Sequence, residues 1–337
     1  MTHPIPPGTR DILPDEMREL RALQSRLAAV FERFGYGEVA TPTVEYDEVL
    51  ARAGDASGAP AAHRFFGGRG ELLAMRADMT VPIARLVANR YAGAEPPLRF
   101  FYNARAYREV RPQRGQMGEF FQAGVELVGA GAPDGTVEVI EVLSAALDAA
   151  GLGRAMIGLG DAALYRQLLE ELGVAAEDRA RTLDLLAAHD LVGLGAAVER
   201  LDLSEPDRAL LSTVPGLRGG PEVLDRAREL GGDAVTRAAG RLAETYEGIA
   251  ARGIADRVSL DLGLLRDLGY YTGAILEVYD PALGHVLGGG GRYDELMGRF
   301  GRPLPAVGFA LYLERLHIAQ AEEERIADES GGEEDAR

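Results

Sequence analysis

Two stretches of the chain carry side chains able to do chemistry in a telling local setting. Positions 288–291 are all glycine, and Arg292 and Tyr293 follow at once. Without a Cβ, such a run lets backbone come close to a ligand or a neighbouring strand. Shortly after it, Val307, Phe309 and Leu311 alternate as a buried strand would, leading into a helix that carries Glu314 and an arginine expected to be buried, Arg315. Upstream, Phe120, Gln122, Gly124 and Glu126 share one parity, so an amide and a carboxylate fall on the same face of a predicted strand. A charge beside a neutral amide on one strand face is either solvated or lines a pocket. Backbone access and a buried arginine close together read as the wall of a small-molecule pocket.

The elements that must position these groups follow from periodicity. Leu20, Leu23, Leu27, Val30 and Phe34 recur at three and four, which predicts a helix with Pro14 in its first turn and Gly35 at its end. Val39 and Thr41 alternate as a strand, with Pro42 at its boundary. Residues 51–70 read as a mobile loop, and 71–91 as strand, turn at Ala77-Asp78, then helix from about Thr80. Residues 98–128 read as two strands joined by RPQRGQM, and 136–150 as a helix. Between 161 and 252 the composition shifts to Leu, Ala, Arg and Glu, broken by Pro206, Pro215 and Pro221, which predicts a mainly helical insertion. Strands return after it. One antiparallel sheet of an α+β domain, built from 1–160 and 253–320, is expected, with 321–337 as a disordered acidic tail.

Composition narrows the function. The chain has 337 residues, a net charge of −17 and no cysteine. Disulfides and thiolate metal sites are excluded, and the five histidines (3, 63, 189, 285, 317) show no ligand spacing, so neither metal nor cofactor is expected. Lysine is absent and the arginines are interspersed with acids, which argues against a phosphate backbone as partner. No apolar run has membrane-span length and no secretory leader pattern opens the chain, so a cytoplasmic protein without membrane contact is expected. No strand–GxGxxG–helix unit and no Walker A sequence appear. The segment 125–136, VELVGAGAPDGT, lacks the acidic pair of a phosphoribosyl pyrophosphate site and reads as a turn after the hairpin.

Five ordered motifs resemble the class II aminoacyl-tRNA synthetase core, and within it the histidyl-tRNA synthetases. FGYGEVATPTVE (34–45) resembles the first class motif, a dimer element with its proline at Pro42, and YREVRPQRGQMGEFFQAGVE (107–126) resembles the second, with its arginine at Arg108. VGFALYLERL (307–316) resembles the third, with its arginine at Arg315, while RDLGYYTG (266–273) and GGGRYDEL (289–296) resemble the histidine-specific segments. The resemblance implies an antiparallel sheet flanked by helices. It also implies a histidine-like pocket: Asp78, Thr80 and Gln122 around the amino group, Glu126 and Tyr271 at the imidazole, Arg266 at the carboxylate with Tyr270 packed beside it, and Arg108 nearby.

The departures point elsewhere than aminoacylation. Gln116 and Gly118 stand where the family's second-motif loop holds phosphate-binding arginines. Tyr312 stands where the third motif has a glycine against the nucleotide, so its ring is expected to block adenine. Gly269 replaces an acid, Asp78 a glutamate, and no anticodon-binding domain follows. This pattern resembles the synthetase-like regulatory subunits of ATP phosphoribosyltransferase. The resemblance implies a non-catalytic chain that self-associates as a dimer, joins a short catalytic subunit in a hetero-octamer, and supports histidine feedback. The regulatory site is then either the synthetase-like pocket or a subunit interface. An aminoacyl-adenylate-forming ligase acting on a non-tRNA acceptor is the alternative, with a truncated histidyl-tRNA synthetase behind it.

Overall fold

A computed structural model of the chain describes residues 4–54, 62–109, 117–265, 269–281, 283 and 285–334. The first helix, α1 (Pro14–Arg33), buries Leu20, Leu23, Leu27 and Val30, as the spacing predicts, and the chain leaves it through Gly35 at φ 82°. Next come β1 (Gly37–Glu38), β2 (Val44–Tyr46), α2 (Asp47–Ala51), β3 (Arg64–Phe66) and β4 (Leu72–Met75). The expected loop over 51–70 thus contains a strand, too short for alternation to reveal. Then α3 (Thr80–Arg90) precedes the hairpin of β5 (Leu98–Tyr107) and β6 (Glu119–Val128), and α4 (Asp134–Ala149) precedes β7 (Met156–Asp161).

The segment 161–252 holds α5 (Leu164–Glu171), α6 (Ala176–Ala187), α7 (Leu191–Val198), α8 (Glu205–Thr213), the two-residue β8 (Arg218–Gly219), α9 (Glu222–Leu230) and α10 (Asp233–Ala251). After it come β9 (Val258–Asp261), β10 (Ala274–Tyr279), β11 (Val286–Arg292), α11 (Leu296–Arg299), β12 (Ala306–Tyr312) and α12 (Leu313–Glu334). The backbone of α12 stays helical past Ile326, where the acidic tail was expected to be disordered.

Among the described residues, nine strands form one sheet in the order β1-β5-β6-β12-β11-β10-β7-β9-β8. The centre, from β5 to β7, is antiparallel as expected, but β1·β5 and β7·β9 pair in parallel, so the sheet is mixed. A second sheet has the order β2-β4-β3. No helix among the described residues is long and apolar enough to cross a membrane.

Strand alternation sorts the main sheet into two faces. Ala123, Val125 and Leu127 of β6, and Val307, Phe309 and Leu311 of β12, join α1, α4 and the 161–252 helices in one large core cluster. There Phe31 of α1 packs on Phe101 and Phe309 at 5.6 and 6.0 Å between ring centroids. Burying these side chains contributes roughly 1.5–3 kcal/mol each. The opposite parity supplies Gln122 and Glu126 to the other face, where Met79, Phe100, Tyr102, Tyr270, Tyr271 and Tyr293 form a second cluster. The apolar back of β6 therefore obliges its polar residues to face the pocket.

Candidate functional site

The four glycines are strand. They form the middle of β11 and are buried, pairing with β12 on one side and β10 on the other. A Cβ on Gly290 would strike the backbone of Gly308 and Phe309, and one on Gly308 would fall on the Glu126 carboxylate. Their absence leaves the floor of a cavity, and around it the structure gathers Asp78, Thr80, Arg108, Gln122, Glu126, Tyr270 and Tyr271 from elements far apart in the chain. Arg266 and Gln116 lie outside the described residues. Gly118 donates its amide to the Gly8 carbonyl at 2.7 Å at the base of the β5–β6 hairpin.

Glu126 is the centre of the site. It is 1% exposed, its Oε1 accepts from Thr80 Oγ1 at 2.8 Å, and its Oε2 accepts from the Tyr293 hydroxyl. Burial pushes its carboxyl up to about 8, against the lowering effect of those two hydroxyls, and nearby Asp78 adds to the rise. Burial also raises the Asp78 carboxyl, although Val81 N donates to its Oδ1 at 3.2 Å and the Tyr270 hydroxyl reaches its Oδ2 at 3.4 Å. Gln122 is 2% exposed, and its side-chain oxygen has no hydrogen-bond partner among the described residues. Two enclosed acids and an unmet amide oxygen form an acceptor-rich floor, chemistry that suits an ammonium group or ring N–H donors.

Aromatic rings make the walls. Tyr270 stands against Tyr271 at 5.0 Å and edge-on to Tyr293 at 5.9 Å. At the mouth, the Tyr312 ring lies edge-on to Phe120 at 5.4 Å, with the Arg315 guanidinium over it at 4.7 Å. Arg108 reaches the same ring: Nη1 donates to the Tyr312 hydroxyl at 3.3 Å and Nε to the Ala77 carbonyl at 3.0 Å, with the guanidinium 5.0 Å over Phe120. Tyr312 therefore fills a slot between an aromatic ring and a guanidinium, the position expected to oppose a nucleotide. The free space left between these walls is about 30 Å³, less than an amino acid fills, so taking one up requires the aromatic side chains to move apart.

One expectation needs correction. Arg315 is half-buried rather than deep in the pocket wall, and donates to the Val286 carbonyl. The buried members of this region are Glu314, which accepts from Phe121 N at 3.0 and 3.1 Å, and Arg292. Arg292 ties β11 to α4 through Thr136 Oγ1 at 3.2 Å and to the turn before it through the Ala130 carbonyl at 3.0 Å. Both are structural fasteners. Tyr293 and Tyr102 also line the cavity, and sequence reasoning assigned neither of them a role there. For Tyr293 the available signals were its place directly after the glycine run and within the motif-like segment 289–296.

Sheet, pocket and motif order define the catalytic-core fold of the histidyl-type class II synthetases. The histidyl-tRNA synthetase family model matches residues 8–316. Among relatives, an ATP phosphoribosyltransferase regulatory subunit of Moorella thermoacetica is 41% identical over 319 residues, covering 94% of this chain and 82% of that one. One of the same name from Symbiobacterium thermophilum is 43% identical, covering 97% and 82%. The crystal structure of an ATP phosphoribosyltransferase regulatory subunit/histidyl-tRNA synthetase from Bacillus halodurans superposes with a TM-score of 0.86 at 34% identity, covering 95% of this chain and 84% of that one. The chain belongs to the histidyl-tRNA synthetase-like family of ATP phosphoribosyltransferase regulatory subunits.

Proposed function

We propose that this chain is a non-catalytic subunit that activates a separate ATP phosphoribosyltransferase catalytic chain and confers inhibition by histidine at the first step of histidine biosynthesis. The observation that carries this reading is the contrast within one pocket. Its acceptor floor of Glu126, Asp78 and Gln122 is intact, while the adjoining stacking slot is filled by Tyr312. On this reading Glu126 pairs with an imidazole nitrogen and Asp78 and Gln122 with the amino group, Arg108 lines the same cavity, and the motif resemblance assigns Arg266 to the carboxylate. Ligand binding biases the assembly only through different affinities for its two states.

Four such chains with four catalytic chains make the proposed hetero-octamer, within which this chain self-associates as a dimer. Support for self-association comes from the small sheet, where Val44, Tyr46, Phe65, Phe66 and Leu72 are exposed beside an open groove of about 660 Å³. An apolar cluster of this kind is a mark of an interface. The test is an assay of the purified catalytic chain with and without this chain and histidine. Full, histidine-sensitive activity from the catalytic chain alone would overturn the reading.

Arg108 and Arg315 at one mouth favour a second reading, an aminoacyl-adenylate-forming ligase with a non-tRNA acceptor. Histidine-dependent exchange of pyrophosphate into ATP would support it, and its absence would count against it.

A further inference from the structure

Helix α7 breaks the rule that governs the other surface helices of this chain. Its eight residues, LVGLGAAV, include no polar side chain. Leu194, Ala197 and Val198 face the core, yet Leu191 and Val192 are 53% and 86% exposed, and Ala196 is exposed as well. A helix that is apolar all round is normally covered on all sides. Helix formation does not demand this composition, because solvated positions elsewhere in the same segment carry Glu, Asp and Arg. The outer face of α7 is therefore an apolar surface about 12 Å long.

Charge at its two ends says what kind of surface covers it. Exposed Asp190 stands at the N-terminal end, where it caps the helix by accepting from Gly193 N at 2.8 Å. Exposed Glu199 and Asp202 flank the other end, with Arg200 as their basic neighbour. A second copy of this chain, laid on α7 in either direction, would bring acids against acids, and each copy carries a net charge of −17. A partner with basic residues on both sides of an apolar patch meets no such repulsion.

We propose that the outer face of α7, centred on Val192, is the surface that docks the ATP phosphoribosyltransferase catalytic chain, through an apolar patch bordered by Arg or Lys. This rests on the regulatory reading above. Val192 and Leu191 supply the desolvated centre, while Asp190 and Glu199 steer the encounter. Centre and rim then act on different rates: loss of an apolar anchor speeds dissociation, and reversal of a rim charge slows association.

The experiment is biolayer interferometry of the purified catalytic chain from the same genome against the unmodified chain, Val192→Glu and Glu199→Lys. The oligomeric state of each variant alone is followed by light scattering. The proposal expects Val192→Glu to weaken binding by about tenfold or more through faster dissociation. Glu199→Lys should slow association and flatten its salt dependence, with both variants melting as the unmodified chain does. Wild-type binding by both variants overturns it. A change in self-association with partner binding intact overturns it too, in favour of a second copy as occupant. If the unmodified chain does not bind the catalytic chain, the regulatory reading fails and this surface with it. If the unmodified chain binds and both variants bind as it does, the surface alone fails.

Discussion

Tyr293 donates its hydroxyl hydrogen to Glu126 across 167 positions of sequence, inside a pocket where that carboxyl is pushed up to about 8. The hydroxyl holds Oε2 while Thr80 holds Oε1, so the group is oriented before any ligand arrives. Orientation and protonation are thus set by different causes: the two hydroxyls fix the geometry, and burial sets the charge.

A ligand that offers N–H donors needs Glu126 ionised. At pH 7 the free chain holds a proton there, which binding must release, so affinity for histidine should rise with pH until about 8. Titration calorimetry at pH 7 in two buffers of different ionisation enthalpy measures the proton directly. Identical apparent enthalpies in both buffers would refute the assignment.

The same shift bears on stability. Between about 4.5 and about 8 the folded chain retains a proton that the unfolded chain gives up, so stability falls as pH rises through that window. Glu126→Gln removes the titration. Its melting temperature should exceed that of the unmodified chain at pH 8 and lose the advantage at pH 5. A constant offset between the two melting curves at every pH would contradict this.

Gly308 faces Glu126 across the β6–β12 pair, and a methyl group there would meet both the carboxylate and the Val125 carbonyl. Gly308→Ala should cost about 1–3 kcal/mol, read as a lowered denaturation midpoint, and should abolish binding of histidine to the pocket. Unchanged stability and affinity would show that the strands have more room than this geometry allows.

Tyr312 is expected to exclude planar heterocycles from the slot between Phe120 and Arg315. Tyr312→Ala should therefore gain measurable binding of a fluorescent adenine nucleotide that the unmodified chain does not bind. Equal binding by both chains would show that the ring blocks nothing.

Exposed Tyr46 and Phe66 belong to the small sheet proposed as the self-association face. Phe66→Glu should shift the isolated chain toward monomer in light scattering, with the pocket's affinity for histidine retained. A dimer of unchanged stability would place the contact elsewhere.

Much of this architecture was legible because alternation and helical spacing are strong where one face is apolar. Leu20, Leu23 and Leu27 marked α1, and the parity of Ala123, Val125 and Leu127 already consigned Gln122 and Glu126 to the other side. Grouping Asp78 and Thr80 with Glu126 required the motif resemblance, since α3 and β6 meet only through the tertiary fold. The part played by Tyr293 was hidden because a glycine strand has no side chains to announce its faces. Parallel pairing of β1 with β5 and β7 with β9 left no local trace, because it links segments whose register is set far away. Nor could composition separate a helix from a frayed tail after Ile326.

The segment 161–252 is held at several points along its length. β8 adds to the outer edge of the main sheet, Arg218 pairs with Asp261 at 2.6 Å, and Arg252 pairs with Glu141 of α4 at 2.8 Å. Leu211, Val235 and Leu242 of the same segment lie in one cluster with Leu23 and Phe309. A segment tied in this way cannot open without exposing the interior of its neighbour. Heating should therefore melt the chain in a single cooperative transition, and limited proteolysis should not release residues 161–252 as a stable fragment.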